Sequence, residues 1–163
     1  DNVRFFDAYM EWRAAEKHGQ PALVFAATGN VSNRDAYVVS KLSPAAAIGI
    51  LSVGAVERNA TDLSIAKFSN SEPDFVAPGV AIVSAGREGR SFAVMDGTSQ
   101  ACPHVAGLAA LHWQQMYENA TKNEPVSATM VAASLRASAI RSRKEMFPGF
   151  SSSDIGAGMP GVP

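Results

Sequence analysis

Apolar and polar residues change rhythm several times along this chain, and each change marks an element. From about Phe5 to His18, Phe5, Tyr9, Trp12 and Ala15 recur at spacings of three and four, with Glu11, Arg13, Glu16 and Lys17 opposite. That period predicts an amphipathic helix whose apolar stripe packs into the core, closed by Gly19 and the nearby Pro21. Ala22 to Ala27 is an unbroken apolar run, as in a strand buried on both faces of a parallel sheet. It ends at Thr28-Gly29-Asn30. Ligands of open α/β sheets bind beyond the carboxyl ends of strands, although an Asn after Gly is also an ordinary loop residue.

Val31 to Ser43 is polar and reads as a loop, and after Ser43-Pro44 the run Ile48 to Val56 reads as a second buried strand. Glu57 to Ser71 reads as a polar surface connection carrying the sequon Asn59-Ala60-Thr61. Phe75-Val76-Ala77 is a short strand stopped by Pro78-Gly79. Val80–Ser84 and Ser91–Met95 flank a turn at 85–90 and predict a β-hairpin. A helix follows over about 99–117, with Pro103 in its first turn, where the missing N–H is harmless. Ala101, Ala106, Gly107, Ala109 and Ala110 make it slender enough to lie close to a sheet, so it is expected to be the central buried helix. Val126 to Ile140 reads as a further amphipathic helix and 147–163 as irregular closing structure.

Composition narrows the class. At 163 residues, 47% hydrophobic and 18% charged, the chain suits one α/β domain with a sizeable core. A net charge of −1 with scattered basic residues gives no nucleic-acid or anionic-membrane surface. The longest apolar run, Ala45 to Val56, is interrupted by Gly49, Ser52 and Gly54 and is too short to span a bilayer. With one cysteine, Cys102, there is no internal disulfide, and the three histidines are too dispersed to suggest a metal cluster. The absence of an initiator Met and of a leader reads as a processed product or a fragment of a longer chain.

Candidate chemistry concentrates between Gly97 and Gly107, where Asp96-Gly97 turns the chain through Thr98-Ser99 into the slender helix. A hydroxyl at that junction meets unpaired backbone N–H groups and the positive end of the helix dipole, a place to present a nucleophile and stabilise an anion. A Thr-Ser pair before a helix is more often an ordinary N-cap, and the local pattern alone does not decide for a nucleophile.

Three separated motifs extend the picture: Ala26-Ala27-Thr28-Gly29-Asn30, Phe75-Val76-Ala77-Pro78-Gly79, and Gly97 to Gly107. In this order, with Ile50–Val56 and Phe68-Ser69-Asn70 between them, the chain resembles the subtilisin-like serine proteases. The resemblance implies a three-layer α/β/α fold with a mostly parallel sheet, residues 1–163 being the C-terminal part of the catalytic domain. It implies that Ser99 is the acyl-forming nucleophile, and that the Asn30 amide and the Ser99 N–H form the oxyanion hole. Ala27, Gly29 and Leu42 fall to substrate binding, Leu42 near the floor of an apolar P1 pocket. His104 is structural rather than a base, His18 and His112 are ordinary helix residues, and Pro44 matches a proline that is often cis. The partner implied is a polypeptide substrate, with no nucleic acid and no membrane span. No cofactor is required, a structural calcium is allowed though nothing in this chain indicates one, and a secreted or extracytoplasmic location is favoured.

The departures from the family pattern matter as much. Its triad runs Asp, His, Ser along the chain, and the motifs for Asp and His lie upstream of everything matched here. His18-Gly19 ends a helix rather than starting one. A Ser hydroxyl without a base is a weak nucleophile, so this chain alone is expected to be inactive until completed by an N-terminal part on the same or a separate chain. The alternative is a non-catalytic half-domain, an interaction module or pseudoprotease. Gln100 stands where the family usually has Met and Cys102 where it has Thr. Gln forms no sulfoxide, so position 100 is expected to tolerate peroxide. Cys102 reads as a small buried helix residue.

Overall fold

The computed structural model describes residues 2–15, 22–59, 62–87, 91–120 and 125–163. The sequon, the tip of the hairpin, and the expected helix end at His18-Gly19 with Pro21 lie wholly or partly outside them. In chain order the elements are α1 (Asn2–Ala15), β1 (Phe25–Ala27), β2 (Leu51–Arg58), β3 (Leu63–Ile65), β4 (Phe75–Pro78), β5 (Ile82–Ala85), β6 (Phe92–Met95), α2 (Thr98–Asn119), α3 (Ala128–Met146) and α4 (Ser152–Ile155).

β2 is the spine of the sheet. It runs parallel to β1 through Phe25↔Leu51 to Ala27↔Val53 and parallel to β4 through Val53↔Phe75 to Val56↔Pro78. Only β3 is antiparallel to it. Side chains alternate across the sheet, so each strand feeds two cores. Val53, Ala55, Phe75 and Ala77 face α2 and α3, meeting Ala101, Val105, Ala109, Val131 and Leu135. Val56 and Val76 face the other way, against Phe147 and Ile155. On that side α1 lays Val3, Phe6 and Met10 over Ala26, Ala45, Ala47 and Ile50. The result is the expected α/β architecture, with helices on both faces of a mixed, mostly parallel sheet.

α2 packs on β1, β2, β4 and α3. Its buried positions, Thr98, Ala101, Val105, Ala109 and His112, form one stripe, and the alanines let the helix approach the sheet closely. β4 reaches the start of this helix through Gly79. A Cβ there would lie 2.6 Å from the Ala55 Cβ and 2.8 Å from the Gly97 carbonyl oxygen, so only glycine fits. Gly79 in turn accepts the Gly97 N–H at 2.7 Å, joining the strand end to the helix start. β5 and β6 form the expected antiparallel hairpin beside it.

Three expectations need correcting. The α1 stripe is turned outward: Phe5 is 67% and Trp12 58% exposed, because Val3, Phe6 and Met10 form a second apolar stripe at helical spacing and it is this one that meets the sheet. Residues 57–71 are more than a surface connection, since they include the end of β2, β3, and the buried Ala66, Ser69 and Asn70. Residues 147–163 include α4 and contribute Phe147 and Ile155 to the core.

Candidate active site

The site forms where the carboxyl end of β1 meets the amino end of α2. Both ends are anchored by polar side chains that are themselves buried. Asn70 is fully buried and its amide is saturated. Its Oδ1 accepts the N–H groups of Val31 and Ser32 and the Ser32 hydroxyl at 3.1–3.2 Å, and its Nδ2 donates to the carbonyls of Thr28 and Ser40 at 3.1 and 3.2 Å. The Asn70 backbone N–H donates to the Gly29 carbonyl at 3.1 Å. One side chain thus holds the loop that carries Asn30.

Thr98, also fully buried, connects that loop to the helix. Its N–H and its hydroxyl both donate to Asn30 Oδ1 at 2.8 Å, and its Oγ1 accepts the Gly29 N–H at 3.2 Å. Because a backbone N–H can only donate, the orientation of the Asn30 amide is fixed: Oδ1 faces Thr98 and Nδ2 is left over. Nδ2 lies 3.2 Å from where a Gly97 Cβ would stand and has no hydrogen-bond partner among the described residues. In the next helical turn, the Gln100 and Ala101 N–H groups donate to the Gly97 carbonyl. The Ser99 N–H, in the unpaired first turn of α2, stays free among the described residues, and Ser99 is exposed. Two neutral donors, the Asn30 Nδ2 and the Ser99 N–H, are therefore preset beside an exposed hydroxyl. Such an arrangement suits an oxygen that gains negative charge.

Leu42, 44% exposed, places its Cδ1 3.4 Å from the Cβ position of Gly29, and its N–H donates to the Thr28 carbonyl at 3.0 Å. Gly29, Asn30 and Leu42 thus come together just past the end of β1, whose last residue is Ala27, and Thr98 joins them to the start of α2 that carries Ser99. The Ser43–Pro44 peptide between Leu42 and the next turn is cis. Ser99 also borders a cavity of about 420 Å³ lined by Ile82, Ala93, Met95, Gln100 and His104 among others. His104 is exposed and its Nδ1 donates to the Gln100 carbonyl at 2.8 Å, one turn back on its own helix. His112 is more than the ordinary helix residue expected. It is buried, shares a hydrogen bond between Nδ1 and the Ser134 hydroxyl at 2.8 Å and donates from Nε2 to the Gly161 carbonyl at 3.0 Å, tying α2 to α3 and the C-terminal segment. Burial pushes the Cys102 thiol up, which keeps it protonated and unreactive.

Two side chains central to this geometry, Thr98 and Asn70, stood inside matched motifs without being assigned a task. Their neighbourhood was the available signal; their roles depend on contacts across 68 and 42 residues of sequence. The described residues show no side-chain cluster of the usual metal-ligating kind. Among them no three His, Cys, Asp or Glu side chains converge, and the carboxylates of Asp74 and Asp154 are held by Arg136 and Arg34 at 2.6 and 2.7 Å. No described helix is long and apolar enough to cross a membrane.

The sequence pattern of the Subtilase family matches residues 1–158. "Subtilisin-like protease 3" of Pseudogymnoascus destructans is 42% identical over 112 residues, which is 67% of this chain and 26% of that protein. The "Thermophilic serine proteinase" of Bacillus sp. (strain AK1) is 39% identical over 66% of this chain and 25% of its own length. The "Cuticle-degrading serine protease" of Arthrobotrys oligospora is 40% identical over 55% of the chain and 21% of its own length. Among solved structures, the "S41 Psychrophilic Protease" superposes with a TM-score of 0.69 at 25% identity, over 86% of this chain and 48% of that one. The chain thus spans about a quarter of the length of these relatives. With the fold and the family's sequence pattern agreeing along nearly its whole length, the chain belongs to the subtilase family.

Proposed function

We propose that this chain is the C-terminal, serine-bearing part of the catalytic domain of a serine endopeptidase. In this reading Ser99 Oγ attacks the scissile carbonyl of a polypeptide, and the carbonyl oxygen takes on negative charge between Asn30 Nδ2 and the Ser99 N–H. Collapse of that intermediate leaves an acyl group on Ser99, which water then removes. Ala27, Gly29 and Leu42 line the binding site for the acyl side of the substrate, and the apolar Leu42 favours an apolar P1 residue. The reaction needs no cofactor. It does need a base, which the N-terminal part of the domain supplies through its His and Asp.

The observation that supports this most is the double anchorage of Asn30 Oδ1 by Thr98, which turns the amide donor towards the Ser99 side. An amide used only to cap the helix would need one of those bonds. Reaction of the full-length protein with a fluorophosphonate tests the reading. Label on Ser99 that disappears in Ser99→Ala is expected, and a full-length protein that neither takes the label nor cleaves peptides overturns it. Cleavage-site profiling that returns acidic or basic P1 residues would remove the role given to Leu42. A secreted or extracytoplasmic location accompanies this reading, in keeping with the relative named for degrading cuticle, and cell fractionation checks it.

The second reading is an interaction module without catalysis. The outward aromatic stripe of Phe5, Tyr9 and Trp12 favours it, because exposed apolar patches mark contact surfaces. Under that reading Ser99→Ala leaves the biological output of the full-length protein unchanged.

A further inference from the structure

Replacing Met by Gln at position 100 removes one oxidisable sulfur next to Ser99, but the structure brings another to the same place. Met95, the last residue of β6, is 56% exposed and lines the 420 Å³ cavity that Ser99, Gln100 and His104 share. Its Sδ accepts a hydrogen bond from Gln100 Nε2 at 3.8 Å. The Gln100 Oε1 in turn lies 2.6 Å from where a Gly97 Cβ would stand, and the Asn30 Nδ2 is 3.2 Å from that same point. Met95 is therefore linked through one side chain to the glycine beneath the proposed oxyanion donors. Of the other methionines, Met10, Met116, Met146 and Met159 are partly covered, and Met130, at the start of α3, is 50% exposed but does not line this cavity.

We propose that Met95 is an oxidation site that gates the cavity beside Ser99, with hydrogen peroxide as the oxidant. A sulfur lone pair attacks one peroxide oxygen, the O–O bond breaks and an S–O bond forms. The sulfur loses two electrons, and the departing hydroxide takes the proton from the newly bound oxygen, leaving the sulfoxide and one water. The product carries a polar oxygen where an apolar thioether stood. That oxygen is a far stronger acceptor than the thioether for Gln100 Nε2, and it occupies part of a cavity walled by Ile82 and Ala93. Both changes disfavour an apolar substrate residue in this cavity. Met130 provides an internal control, being equally exposed and remote from the cavity. The functional half of this inference rests on the endopeptidase reading; the chemical half does not.

The test treats the full-length protein with dilute hydrogen peroxide and follows each methionine by peptide mass mapping while peptide hydrolysis is assayed. Met95 is expected to gain oxygen at least as fast as Met130 and ahead of the covered methionines. Across substrates varied on both sides of the scissile bond, activity on those that set a bulky apolar residue in this cavity is expected to fall about tenfold in step with it, the effect of facing an apolar side chain with a polar oxygen. Met95→Leu should retain its own starting activity through the treatment, Met130→Leu should lose activity as the parent does, and methionine sulfoxide reductase should restore the parent. Slow oxidation of Met95 beside rapid oxidation of Met130 overturns the site itself. Full oxidation of Met95 with undiminished activity overturns the gating. An untreated protein that cleaves no peptide overturns both the endopeptidase reading and the gating that depends on it, while the mass map still decides the oxidation site.

Discussion

Replacing Thr98 by Val keeps the shape of the side chain and removes the hydroxyl that shares Asn30 Oδ1 with the Thr98 N–H. Asn30 then retains one anchor, and the Gly29 N–H loses its acceptor. A neutral hydrogen bond contributes about 1 kcal/mol, so under the endopeptidase reading kcat of the full-length protein should fall roughly five- to tenfold with KM little changed, and Thr98→Ser should recover most of it. An equal loss in Thr98→Ser would show that packing of the methyl group, not the hydroxyl, is what matters. Asp74 acts on stability. Burial alone would raise its pKa, but hydrogen bonds from the Ser52 N–H, Arg136 and the Ser52 hydroxyl, together with the charge of Lys41, outweigh it and hold the carboxyl below the usual range. A carboxyl depressed on folding contributes stability that is whole above the unfolded value of about 3.9 and is lost as pH falls from there through the folded value. Acid titration of unfolding should therefore show a shallower decline below about pH 4 in Asp74→Asn, from a lower starting stability.

Among the elements, short strands and slender helices owe their positions to a few close approaches. Gly156, just after α4, has φ +57°, and a Cβ there would stand 2.2 Å from the Pro73 carbonyl oxygen and 2.4 Å from that of Asp74. Backbone cannot yield as a flexible side chain can, so Gly156→Ala should cost about 2–3 kcal/mol of stability by denaturant titration; a change under about 0.5 kcal/mol would mean that α4 shifts freely. Such contacts also explain what the sequence disclosed and what it withheld. β1, β2, β4, the hairpin and α2 were legible because each carries its own signal: an apolar run, a Pro-Gly stop, or an alanine-rich periodicity. The buried side of α1 was not, since Phe5-Tyr9-Trp12 and Val3-Phe6-Met10 both recur at helical spacing and only the sheet beneath chooses between them. β3 was missed because Leu63-Ser64-Ile65 is too short and mixed to stand out, and it becomes a strand by pairing with the end of β2. Ser99 and Asn30 were singled out through motifs in order along the chain. The tasks of Thr98 and Asn70 became visible only once distant segments were brought into contact.

For the molecule as a whole, the decisive feature is an edge. Among the described residues β1 pairs with β2 alone. Leu51 donates to the Val24 carbonyl and Thr28 to that of Val53, so in a parallel ladder the main-chain groups of Phe25 and Ala27 turn to the other edge. An unpaired edge in a nearly all-buried sheet invites another strand. Under the endopeptidase reading that strand belongs to the N-terminal part of the domain; the isolated 163-residue chain should then be inactive towards peptides for want of a base, and adding that part should yield both a stable complex and hydrolysis that requires Ser99. Hydrolysis by the pure isolated chain that is lost in Ser99→Ala would refute this.

The buried amide of Asn70 has a consequence for hydrogen exchange. Residues 28–40 lie outside regular structure, and segments of that kind usually trade their amide protons with solvent in seconds. Here the N–H groups of Val31 and Ser32 end on a carboxamide that water does not reach, and the Asn70 N–H ends on the Gly29 carbonyl. Those protons can leave only when the whole junction between β1 and α2 opens. They should exchange as slowly as the amides of β2, and their exchange should accelerate together in Asn70→Ala, making this loop part of the most persistent unit of the fold.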